Sequence, residues 1–222
     1  NMVGETNGVS LIDTLDLLLT SDLNKKHPEV NNQIKEFREL LDLFRTNKIK
    51  INKLLEHSFS DAMFEFFKNF PLKYKEEHIH LTGSLTGEFI FPRLKVLLEG
   101  PNRKIYEDRI KQVYGPMSIP ITCPEDIDNL IRLKEGEGFL TYLKILYLPQ
   151  LIFITKEVHT DAAFHLATEL YTKYNVGHIR LKFSLNRSTS SSSEQIPGLG
   201  QLSSEDVVLG IYEGFIKFKK MH

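Results

Sequence analysis

The sequence predicts an α/β chain with a helical N-terminal region. Three observations carry this: helix-period apolar stripes up to about residue 70, a change to a short strand, turn and helix after Pro71, and a second strand-like alternation over Ile179–Phe183. With 222 residues, 41% of them hydrophobic and 26% charged, the chain has enough apolar content for one or two globular domains. The expected division is 1–70, helical, and 71–222, α/β.

In the first region Val30, Ile34, Phe37, Leu41 and Phe44 follow the spacing of one helix face, and Pro28 stands where a first helical turn accepts it. A second stripe runs through Leu54, Leu55, Phe59, Met63 and Phe66/Phe67. These stripes either pack on each other and on the domain that follows or form a dimer surface.

The segment 76–81 reads as a strand that ends at Thr82-Gly83-Ser84. A helical pattern follows through Leu85, Phe89, Phe91, Leu94 and Leu98, with Thr82 or Ser84 as its N-cap and a kink expected at Pro92. Residues 101–122 look turn-rich, with Pro101, Pro116 and Pro120. Pro124 opens a helix through Ile127, Leu130 and Leu133, and 139–154 is apolar enough to be largely buried. A long helix from Thr155 to about Tyr174 stops before Asn175 and Gly177, and 178–185 is the second strand, expected to pair in parallel with the first. The serine-rich stretch 188–200 reads as a mobile loop, either a flexible insertion or a lid. Ser203 and Asp206 form a capping-box start for a last helix, with apolar Val207, Ile211 and Phe215.

Composition narrows the function. Lys plus Arg (28) nearly balances Asp plus Glu (29), so there is no broad electrostatic footprint for nucleic acid or an anionic membrane. The single cysteine, Cys123, forms no intramolecular disulfide and no thiolate zinc site, and with no signal-peptide pattern the expected location is cytoplasmic. His78 and His80 are two apart, so on a strand both imidazoles share a side and can converge on a divalent metal such as zinc. Eight histidines give about 0.3 such pairs by chance, so spacing alone leaves open two surface histidines on a polar strand. His159 and His165, six apart on one helix, read as satisfied by solvent or core.

The stretch His78-Ile79-His80-Leu81-Thr82-Gly83-Ser84-Leu85 resembles the opening metal-binding motif of the adenosine deaminase family, His-x-His-Leu-Asp/Glu-Gly-Ser/Ala. The segment 170–184 is similar to that family's second barrel strand with the helix before it, and the likeness covers about residues 72–222. The resemblance implies the first strands and helices of an incomplete TIM (β/α)₈ barrel. It implies a zinc-dependent hydrolysis in which water attacks C6 of a purine nucleoside and ammonia leaves, turning adenosine to inosine.

On that resemblance His78 and His80 are zinc ligands, and Thr82 and Gly83 belong to the substrate-binding turn. Thr82 departs from the motif, which has a carboxylate reaching the ribose, and this weakens the nucleoside assignment. Only 145 residues run from His78 to His222, whereas a complete barrel takes roughly 250. The expected catalytic acid, the third histidine and the remaining ligand fall on later strands, so the chain reads as an N-terminal part of the enzyme and as inactive alone. An open strand edge predicts self-association or a complementing C-terminal segment. The alternatives are another His-x-His amidohydrolase or phosphoesterase, or a non-catalytic association fragment.

Overall fold

The structure, a computed structural model, describes residues 11–21, 28–185 and 202–222. It divides into two compact units between Pro71 and Leu72.

The first unit contains α1 (Leu11–Thr20), α2 (Pro28–Arg45), α3 (Ile51–Leu55) and α4 (Ser58–Lys68). Leu15, Ile34, Phe37 and Leu54 are its buried centre, with Leu41, Phe44, Phe59 and Met63 packed around them. The two predicted stripes therefore meet each other, although Val30, Leu55, Phe66 and Phe67 stay exposed. Arg38 of α2 ties this unit together by donating to Asp16 of α1 at 2.9 Å and pairing with Asp42 one turn along its own helix. His57 caps α4, its Nδ1 accepting from the Phe59 amide at 3.2 Å.

The second unit begins with β1 (Tyr74–His80) and a 3₁₀ turn (Thr82–Ser84), followed by α5 (Gly87–Glu99), α6 (Arg103–Tyr114), α7 (Pro124–Ile131), α8 (Phe139–Ile145) and α9 (Tyr147–Gln150). It continues through α10 (Lys156–Tyr174), β2 (Val176–Lys182) and α11 (Ser204–Met221). The strands pair in parallel, with His80 opposite Lys182. Between Glu76 and Ile79 of β1 there is one more residue than between their partners Ile179 and Leu181, a bulge that shifts the side-chain alternation by one. Ile79, Ile179 and Leu181 pack against a core of Leu85, Ile90, Leu94, Ile127 and Leu166 among others. Asn175 ends α10 in the left-handed conformation (φ 57°), and its side-chain amide donates to the Leu72 carbonyl at 3.2 Å, leading the chain directly into β2.

Among the described residues 69% are helical and only two strands form, joined in one small sheet. The incomplete (β/α)₈ barrel implied by the resemblance, with several opening strands, is not what these residues build. The physical reason lies between the strands: residues 81–175 arrange their apolar side chains at helical spacing in six successive helices, where a barrel alternates one strand with one helix.

Local readings also shift. The helix after β1 starts later than predicted, with Thr86 as the N-cap residue and its first amide, Gly87 N–H, donating to Asp128 Oδ1 of α7 at 2.7 Å. Gly87 is required there, because a Cβ would come within 2.1 Å of the Pro124 carbonyl oxygen. The helix runs on through Pro92 to Glu99. The span read as turn-rich holds α6, whose Tyr106 and Ile110 are buried at i, i+4 spacing. Phe139 and Leu140 are exposed, so burial in 139–154 is confined to its second half, at Leu148 and Leu151–Phe153. The capping box of α11 forms, with Asp206 accepting from the Ser203 amide at 3.0 Å and Ser203 Oγ accepting from the Asp206 amide at 3.1 Å. The Ser203 hydroxyl, donating to the carboxylate at 2.7 Å, and then the Ser203 amide hold the Asp206 carboxyl below its usual range. The 188–200 loop lies outside the described residues.

Candidate functional site

β1 places Ile79 toward the core and leaves His78 and His80 exposed on its other side. Their rings stack at 5.0 Å between centroids, and the two Nε2 atoms stand 3.0 Å apart. At that separation one ring nitrogen donates and the other accepts when both imidazoles are neutral. The backbone at this point is tied down on both sides. Glu76 Oε1 accepts from the His78 amide at 3.0 Å, and Ser84 Oγ donates to the His80 carbonyl at 2.7 Å. The Leu81 amide extends the ladder by donating to the Lys182 carbonyl at 3.0 Å.

Zinc–imidazole bonds of about 2.0–2.1 Å place two nitrogens of a tetrahedral site roughly 3.3 Å apart. The histidine pair fits two such positions with a shift of a few tenths of an ångström. Among the described residues, no group of three or more His, Cys, Asp or Glu side chains is gathered to hold a metal. The pair thus offers two ligands of a site and no more.

Next to it, where the ends of β1 and β2 meet α8, α9 and the start of α10, lies a cavity of about 380 Å³. His80 and Thr82 border it from the first strand, Lys182 and Ser184 from the second, and Leu146 and His159 from the helices. Thr82 and His80 are therefore brought together, while Gly83 sits in the 3₁₀ turn with its Cα facing Leu146, near enough that a Cβ would lie 3.2 Å from that side chain. His78 stands outside the cavity lining. Tyr114 fixes the helical wall: its hydroxyl donates to the Lys144 carbonyl at 2.8 Å and accepts from the Leu148 amide at 2.9 Å. Burial pushes that phenol well above the usual tyrosine range.

Sequence reasoning missed Lys182, Ser184 and His159 as cavity residues. The first two were readable as the end of a strand parallel to β1. His159 is buried at 1% exposure, and nothing in its spacing announces the cavity. Its Nδ1 lies 2.8 Å from the Thr155 carbonyl, and burial lowers its pKa below the usual imidazole value. His165 lies elsewhere, with its ring 5.0 Å from that of Phe89. Neither a protein-family model nor a curated protein matches this sequence.

Proposed function

We propose that this chain supplies two zinc ligands, His78 and His80, of a cytoplasmic hydrolase that deaminates a purine nucleoside, adenosine to inosine. The observation that supports this best is the 3.0 Å approach of the two Nε2 atoms beside a cavity that His80 and Thr82 border. Zinc, when bound, supplies a Lewis acid that brings the pKa of water near neutrality. The Thr82 hydroxyl both donates and accepts, so it can bond a ribose hydroxyl without the charge of a carboxylate. A catalytic zinc takes three protein ligands or more, so the reading requires a further ligand from outside the described residues, from a complementing segment or a second copy. No helix among the described residues is long and apolar enough to cross a membrane.

The test is a zinc titration of the whole chain followed by NMR of nitrogen-labelled histidines. The resonances of His78 and His80 should move together, and His78→Ala should abolish the response at His80. Zinc that leaves both rings untouched overturns the reading. One observation favours the alternative amidohydrolase or phosphoesterase: Lys182 places a cation on the cavity wall, which suits an anionic substrate. Tighter binding of AMP than of adenosine, lost in Lys182→Ala, would select that alternative.

A further inference from the structure

His159 lies on the first turns of α10, a position fixed from three sides. Thr155 caps the helix, its Oγ1 accepting from the Val158 amide at 3.4 Å. The Phe153 ring packs 4.8 Å from the imidazole. Behind it, α11 approaches so closely at Gly210 that an added Cβ would come within 3.0 Å of the His159 Cβ. The imidazole therefore has little room to turn.

Its two nitrogens have different fates. A carbonyl only accepts, so the 2.8 Å contact with Thr155 O places the ring proton on Nδ1. Nε2 is then a bare acceptor, shut off from solvent and with no hydrogen-bond partner among the described residues. A buried acceptor left in that state is costly. Yet His159 is one of the residues that line the cavity shared by His80, Thr82, Lys182 and Ser184. Lys182 only donates, the hydroxyls do both, and Gln150 carries one group of each kind, so the neutral His159 ring, with its proton held on Nδ1, adds a fixed acceptor to the lining.

We infer that His159 is a ligand-recognition residue whose Nε2 accepts a hydrogen bond from an N–H or O–H group of a small molecule seated in this cavity. The inference rests on the purine reading above for the identity of that molecule, a nucleoside, and requires no metal. Two groups of adenosine can supply the donor, the 6-amino group and a ribose hydroxyl.

The test uses the whole chain with nitrogen-labelled histidines and three probes: adenosine, purine riboside, which lacks the amino group, and adenine, which lacks the ribose. Adenosine should move the Nε2 resonance of His159 in the wild-type protein. His159→Phe should weaken adenosine binding on the order of tenfold, the loss of one hydrogen bond to a buried acceptor, while its Tm stays within about 3 °C of wild type. Purine riboside binding wild type as weakly as adenosine binds His159→Phe identifies the amino group as donor. Adenine behaving so, with purine riboside binding well, identifies the ribose.

Adenosine binding with Nε2 unmoved, or binding equally to the Phe variant, overturns the inference and leaves the purine reading standing. Failure of all three probes to bind also overturns it, and the zinc titration then judges the histidine pair separately. A His159 response to adenosine that persists in His78→Ala without zinc supports the inference and detaches it from the metal. The wild-type NMR readout holds even if the Phe variant does not fold.

Discussion

His80 and Lys182 are register partners across β1 and β2, and both residues line the same cavity. A potential metal ligand and a fixed cation thus share one wall, joined by the ladder that the Leu81 amide extends.

Zinc should bind the chain weakly through His78 and His80, since two imidazoles are fewer ligands than a closed site provides. Isothermal titration should show each of His78→Ala and His80→Ala lowering the affinity by on the order of tenfold or more. Affinity unchanged in both variants would place the metal elsewhere.

Adenosine should not be turned over at a useful rate by this chain alone, even with zinc added. No third ligand is gathered among the described residues, and each missing proton-transfer group is worth typically ~10²–10⁴-fold. The absorbance change of adenosine reports directly on this. Turnover that His78→Ala abolishes would show that the remaining catalytic groups come from other residues of this chain.

Tyr114→Phe should destabilise the second unit by about 1–3 kcal/mol, because it strips a hydrogen-bond partner from the Leu148 amide and the Lys144 carbonyl together. A lower urea midpoint at unchanged slope is the expected result. A midpoint equal to wild type would mean that water replaces the hydroxyl without penalty.

Stability should fall on both sides of neutrality, for different residues. Burial depresses the folded-state pKa of His159 from 6.5, so its contribution is present above that value and is lost as pH falls through the depressed pKa. Tyr106, raised by burial to about 12 from 10.0, and Tyr114, raised further, contribute stability that is present below pH 10 and is lost as the pH rises through their folded pKa values. Thermal melts of wild type and His159→Phe between pH 5 and 7 isolate the first effect. Parallel curves would assign the acid limb to other groups.

Gly214→Ala should cost about 1–3 kcal/mol, since the new methyl would lie 2.4 Å from the Thr160 carbonyl oxygen and 2.7 Å from Ala163 Cβ, forcing α10 and α11 apart. Chemical denaturation measures it. A neutral change would show that the two helices can separate freely.

The elements most legible in the sequence were those whose signal is local. The alternation over Ile179–Phe183, the Ser203–Asp206 box and the stop at Asn175 each involve residues within a few positions of one another, and each corresponds to a structural feature. The closeness of His78 and His80 was readable for the same reason. What stayed hidden depends on distant partners: the start of α5 at Gly87 is set by Asp128 and Pro124, and the place of His159 by Phe153 and Gly210. The barrel expectation failed because it extended a short motif over residues 81–175, whose own spacing is helical.

The bulge in β1 and the long excursion between the strands have a kinetic consequence. The two histidines approach across a single intervening residue, a contact of minimal sequence separation. The cavity beside them requires His80 to meet Lys182, about a hundred positions further along the chain, and contacts of such separation carry the larger loop-closure entropy and form slowly. In native-state hydrogen exchange, the amides of the inter-strand ladder should therefore open as one cooperative unit. In openings that release β2, the imidazole pair can persist on β1, so the approach of the two rings and the formation of the cavity are separable events in the life of one folded molecule.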